Sequence, residues 1–211
     1  MVEKLMTVYL TAFAALVIST VFTTTSIFLP HWLTARFPVA GSSQIIRLDY
    51  GLHQKCSSET NPSCVPFPAE ECSHGGNFCG TWKTVTFGLY VSLLFLGVLL
   101  ASYIALLAGS RAKRETAWRP LAVLLAIDTA IQGACLAAVF GLLQTDNHYL
   151  ASDNWRLGQS WILIVVAFTI NLVVIVFTVV TGLHIRPGYD SLPTRPSMRR
   201  LSTSLSASSH V

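Results

Sequence analysis

Charge is scarce in this chain: 11% of its 211 residues are Asp, Glu, Lys or Arg, against 52% that are hydrophobic. A soluble domain carries about 25% charged residues, so most soluble architectures are excluded. The scarcity is also local. No charge lies between Lys4 and Arg36, between Lys83 and Arg111, or between Arg156 and Arg186, and only Asp128 interrupts the stretch from Arg119 to Asp146. No histidine stands in the middle of these stretches, which argues against a bis-His haem bundle. No C-x-x-C occurs, so dithiol exchange has no motif. Asn61 is followed by Pro62, which leaves no usable glycosylation sequon. Gly75-Gly76 follows no strand and opens no helix, and Glu70-Glu71 suits a solvated turn better than acid–base work. Nothing suggests catalysis, a cofactor, a metal or nucleic acid. The net charge of +4 is informative only through where the basic residues sit.

What the chain has is apolar length. A helix needs about 20 apolar residues to cross a bilayer, and lipid offers the backbone no hydrogen-bond partner, so each span must be helical. The pattern predicts spans over 8–29, 85–108, 121–143 and 160–183. Between and around them lie an N-terminus (1–7), a long first loop (30–84), a basic loop (109–120), a short third loop (144–159) and a tail (184–211). The first stretch is too long for a signal-peptide core and has no small-x-small site before Pro30, so it reads as a retained anchor. Arg111, Lys113, Arg114 and Arg119 crowd the second connection, and Arg186, Arg195, Arg199 and Arg200 the tail. Dense basic residues in short loops mark the cytoplasmic side. Both termini are therefore expected inside and the first and third loops outside, at the plasma membrane.

Four of the five cysteines, Cys56, Cys64, Cys72 and Cys79, fall in the first loop, on the oxidising side of that topology. Their even spacing lacks the close ligand pairs of a zinc ribbon. Two disulfides are the better reading. Three pairings are open, and the short rings Cys56–Cys64 and Cys72–Cys79 are favoured. In the same loop Gln44–His53 suits a strand, whereas Ser57–Glu71 is rich in turn formers. Trp32, Trp82, Tyr90, Tyr149, Trp155 and Trp161 are placed to form an interfacial belt. The fold class expected is an all-α transmembrane four-helix bundle with a small extracellular antiparallel β-sheet in the first loop.

Within this loop a motif stands out: Pro30-His31-Trp32, then Gly51-Leu52-His53-Gln54-Lys55-Cys56, then Cys64. It resembles the claudin signature of a Trp, a Gly-Leu-Trp, and two cysteines, here at Trp32, Gly51, Leu52, Cys56 and Cys64. The arrangement of spans, with a long first and a short third loop, is similar too. His53 stands where that family has its second Trp, and the additional Cys72 and Cys79 are more like divergent relatives, the calcium-channel gamma-type subunits and claudin-like tetraspans of fungi. The resemblance implies a left-handed four-helix bundle bearing an extracellular antiparallel sheet, and work done by contacts rather than chemistry.

Asp128 is the sharpest residue inside a span. An ionised Asp at mid-span costs about 2.5–3.5 kcal/mol on insertion scales, so it should face protein or water. Gln132 and Cys135 share its helix face, and Asn171 lies at comparable depth in the fourth span as a candidate partner. An interhelical hydrogen bond explains this set better than an ion or proton path, because a single acid makes a poor relay. Gly133, Ala137 and Gly141 form a small-residue stripe for close helix packing, and Cys135 reads as an inert small hydrophobe. The tail is poor in apolar residues and cannot bury a core. It offers Ser202 after Arg199-Arg200-Leu201 as a phosphosite and Ser209-His210-Val211 as a C-terminal ligand for a cytoplasmic partner. The functional expectation is a non-enzymatic tetraspan that contacts membrane lipids and either itself or another membrane protein. An auxiliary or sensor subunit and an ion-conducting bundle using Asp128 are the alternatives.

Overall fold

Each apolar stretch is one uninterrupted helix in the computed structural model, which describes residues 2–38, 45–59, 63–67, 77–109, 117–145 and 155–184. Outside these fall Cys72, the basic residues Arg111, Lys113 and Arg114, Tyr149, and the tail with Ser202 and its C-terminal motif. The helices are α1 (Val2–Phe28), α2 (Asn77–Ala108), α3 (Trp118–Thr145) and α4 (Gln159–His184). All four are long and apolar enough to cross a membrane. α1 stops just ahead of Leu29-Pro30, because proline disfavours helical geometry in the residue before it. α2 begins eight residues before the apolar stretch expected from Val85, and its 32 residues extend about 48 Å. That exceeds a hydrocarbon core of roughly 30 Å, so α2 extends past the lipid core, and its first turns, with Phe78 and Trp82, serve as a post for the sheet.

The helices form a closed ring in which α1 packs on α2 and α4, and α3 on α2 and α4. Their outer surfaces stay apolar, with Leu10, Phe87, Leu94, Val123, Val173 and Val176 all exposed. In water such a surface would drive aggregation; in lipid it is the required one. This is a four-helix bundle of a multi-pass membrane protein. The spans also carry many hydroxyls, and several return to their own helix: Thr20, Thr24, Thr86, Thr129 and Thr169 each donate to the carbonyl four residues back. Close approach between helices rests on glycine at defined places. A Cβ at Gly88 would lie 2.7 Å from Cys135 Sγ, and one at Gly133 would lie 3.1 Å from the Phe168 ring. The expected small-residue stripe thus packs within the bundle at Gly133, whereas a Cβ added at Gly141 would meet none of the described residues within 4 Å.

Five strands make one antiparallel sheet: β1 (Leu33–Pro38), β2 (Ile45–Tyr50), β3 (Gln54–Ser57), β4 (Cys64–Pro66) and β5 (Trp155–Leu157), in the order β4-β3-β2-β1-β5. β2 occupies most of the strand expected over 44–53. β1 follows α1 almost directly, with Leu33 and Ala35 buried and Thr34 and Arg36 turned away. β4 lies inside the stretch expected to be turns only. It is a three-residue edge strand, where Pro66 costs the ladder little. β5 comes from the connection between α3 and α4 and closes the other edge against β1. The sheet therefore joins two loops rather than one.

Candidate functional site

The motif residues build the junction between sheet and bundle. Trp32 is fully buried; its indole Nε1 donates to the Ser26 carbonyl at 2.8 Å, closing an otherwise unpaired group in the last turn of α1. Its own N–H donates to Tyr50 O at 2.9 Å, and its carbonyl accepts from Gly158 N at 2.8 Å. One residue thus ties α1, β2 and the start of α4 together. Gly51 turns the chain between β2 and β3 with its N–H on Gln54 O at 2.8 Å, and a Cβ there would sit 2.6 Å from Pro30 Cα. Its carbonyl accepts from Trp82 Nε1 at 3.1 Å, which anchors the turn to the projecting end of α2. Leu52 is buried beside it. His53 is exposed, its Nε2 2.8 Å from the Tyr90 hydroxyl on α2. Around these lies an aromatic cluster in which Phe78 stacks on Trp82 at 5.3 Å and Tyr50 meets Phe67 and Trp155 at 5.1 and 5.0 Å.

This corrects the expected interfacial belt. Trp32, Trp82 and Trp155 are buried in the core that joins sheet to bundle, because the N–H groups of Trp32 and Trp82 and the ring of Trp155 find protein partners there. Tyr90 remains exposed. Sequence gave no means to separate the two positions, since a Trp next to a span suits either.

Cys56 and Cys64 are bonded to each other and stand directly opposite in the β3–β4 register. Cys79 is also disulfide-bonded, while its expected partner Cys72 lies outside the described residues. Replacing Cys56 and Cys64 by serine removes a short ring from the unfolded state and is expected to cost about 2–3 kcal/mol, read as a lower thermal midpoint of the detergent-solubilised protein. An unchanged midpoint would show that β3–β4 pairing holds this edge without the bond.

The alternation of the strands gives the sheet two unlike faces. Leu33, Ala35 and Tyr50 turn toward the aromatic core. Thr34, Arg36, Arg47, Asp49 and Arg156 form the opposite face, with Arg36 directly across from Arg47 and Thr34 across from both Asp49 and Arg156. Asp49 Oδ2 lies 2.9 Å from Arg47 Nε and 3.4 Å from His31 Nδ1. Beside them opens a cavity of about 440 Å³, walled by arginines of β1, β2 and β5 and by the first turn of α4. Gly158 permits that closeness: a Cβ there would run into the His31 carbonyl. None of these basic residues stood out in the sequence, because their grouping depends on β1 and β5, which bring positions over one hundred residues apart into register.

The intramembrane set does come together. Asp128 Oδ1 accepts from Ser92 Oγ at 2.6 Å, and Oδ2 accepts from Asn171 Nδ2 at 3.2 Å and Gln132 Nε2 at 3.3 Å. Gln132 Nε2 also donates to Ser92 Oγ at 3.0 Å, and its Oε1 accepts from Asn171 Nδ2 at 3.2 Å. All four residues are fully buried. Asn171 is the partner expected for Asp128; Ser92 was missed, since a lone serine in an apolar span carries no signal of its own. This polar layer falls between two apolar cores. On α2 it lies between Leu89 and Leu96, on α3 between Leu125 and Cys135, on α4 between Ala167 and Val174. Cys135 itself is a buried free thiol 3.7 Å from Val85 O. A scan against protein-family models and a search of curated proteins each found no match to the chain.

Proposed function

We propose that this chain is a claudin-like plasma-membrane tetraspan that organises membrane or cell-surface assemblies by contact and performs no chemistry, with the sheet outside and both termini cytoplasmic. The observation that carries the reading is the construction of the sheet. Strands from two separate loops are locked to three helices through Trp32, Gly51 and Trp82 and braced by a cystine. Such rigidity suits recognition, because ordering entropy is spent at folding and not at binding. The sheet also leaves apolar side chains free for a partner, Ile45 at 62% and Val65 at 42% exposure. Inside the membrane the polar groups of α2, α3 and α4 are engaged with one another, which favours a structural role for Asp128 over conduction.

The test is purification of the full chain in mild detergent followed by identification of what remains bound. Copies of the chain, or cell-surface proteins held through the sheet, are expected. A stoichiometric channel or synthase would instead make this an auxiliary subunit, and Asp128-dependent ion flux from purified protein in liposomes would make it a conductor. Orientation is tested separately: a tag after Val211 should be protected from protease added outside intact cells.

A further inference from the structure

The polar face of the sheet holds more positive charge than its fold uses. Arg36 and Arg47 stand directly opposite each other, an arrangement of like charges that destabilises a sheet by itself. Asp49 offsets Arg47, but neither Arg36 nor Arg156 has a carboxylate partner among the described residues. Both line the 440 Å³ cavity, together with Gln159 at the start of α4. The helix adds the partial positive charge of its N-terminus on the same side. Cavities of about 300–1,000 Å³ take small molecules, and planar guanidinium groups match phosphate oxygens two at a time.

One wall differs in kind. Ile162 lines the cavity one turn into α4 and is 54% exposed on the outer surface of that helix. Val166, Val173 and Phe177 continue an exposed apolar stripe down the same side. The cavity therefore has a cationic end at the sheet and opens along a surface that meets acyl chains. We propose that it binds the anionic headgroup of a phospholipid in the leaflet on the sheet side, its phosphate held by Arg36 and Arg156 and an acyl chain lying along Ile162 and Val166. A soluble anion would use the arginines but gain nothing from the apolar wall, and an acidic peptide would not need the cavity to open onto the spans. The inference rests on reading α1–α4 as spans and is independent of which side of the membrane the sheet occupies.

The experiment is native mass spectrometry of the full chain in detergent, titrated with phosphatidylglycerol or with phosphatidylcholine of the same acyl chains. Phosphatidylglycerol should be retained about thirtyfold more tightly, as expected for two arginines acting on net headgroup charge. The Arg36→Gln/Arg156→Gln variant should lose that preference while keeping its helix content and thermal midpoint. Arg47 is left in place because it neutralises the buried Asp49. Ile162→Asn should weaken retention of phosphatidylglycerol several-fold. Equal retention of the two lipids by the wild-type protein would overturn the proposal, and this comparison decides the matter even if the arginine variant does not fold. Displacement of the lipid by equimolar glycerol phosphate, or by an acidic peptide, would also overturn it, in favour of a soluble anion or a protein partner. Insertion into purely zwitterionic nanodiscs reports on the spans alone, so a failure there is distinguishable from a failure of headgroup preference.

Discussion

Trp32→Ala is expected to destabilise the protein by about 3–5 kcal/mol, the range for truncating a fully buried large aromatic side chain. The location argues for the upper part of that range. Trp32 has no exposed surface, and its indole N–H is the donor to the Ser26 carbonyl. Alanine would leave a cavity at the junction of α1, β2 and α4 and strip that carbonyl of its partner in a site that excludes water. An unmet buried acceptor costs about 1–3 kcal/mol. For a chain of this size the midpoint should fall on the order of 10 °C, measured by thermal unfolding in detergent. Trp32→Phe helps to separate the two contributions, since it keeps most of the ring volume while removing the donor; it should cost about 1–2 kcal/mol. If Trp32→Ala left the midpoint within about 2 °C of wild type, the sheet would not be coupled to the bundle through this residue, and the rigid platform on which the functional reading depends would be lost.

The legibility of this fold follows from where its information is stored. The four spans could be read because charge is nearly absent over each, a property of every residue in the stretch and indifferent to any contact. Their ends were less legible: the beginning of α2 at Asn77 depends on Phe78 and Trp82 packing into the sheet, which supports helix beyond the apolar run. β2 announced itself through Ile45, Ile46 and Leu48. β4 and β5 could not, since three residues are too few for alternation, and each exists because a neighbour, β3 or β1, offers a free ladder. The cystine Cys56–Cys64 was legible from spacing, and Asp128 from its isolation. Asn171 could be matched to it by depth alone. The arginine cavity was illegible for the same reason that β5 was: Arg156 reaches Thr34 only through a pairing that local pattern does not encode.

The polar layer at mid-bundle makes the second large prediction, and its arms must be taken together. Asn171→Leu keeps the branched shape in a somewhat bulkier side chain but removes the donor shared by Asp128 Oδ2 and Gln132 Oε1. Gln132 Oε1 then has no donor and Asp128 Oδ2 keeps only Gln132 Nε2, where neither water nor lipid can replace the loss, and the expected cost is about 2–3 kcal/mol. Asp128→Asn should cost less than about 1 kcal/mol, because Ser92 keeps an acceptor and the carboxamides can turn to re-pair. Asn171 Oδ1, buried with no hydrogen-bond partner, gives that rearrangement a spare acceptor. Replacing the whole layer at once, Ser92→Ala with Asp128→Leu, Gln132→Leu and Asn171→Leu, leaves nothing unsatisfied and should be far less harmful than Asn171→Leu alone. The ranking of thermal midpoints is therefore wild type close to Asp128→Asn, the all-apolar layer near them, and Asn171→Leu lowest. Such an ordering cannot come from overpacking, which would put the bulkier all-apolar layer lowest, or from hydrophobicity, which would rank the single leucine above the carboxamide. If Asn171→Leu were as stable as wild type, the network geometry would not govern the packing of α2, α3 and α4. If Asp128→Asn instead abolished an ion-dependent activity while leaving the midpoint unchanged, the carboxylate would be serving transport, and the bundle would have to be understood as a path and not as a post.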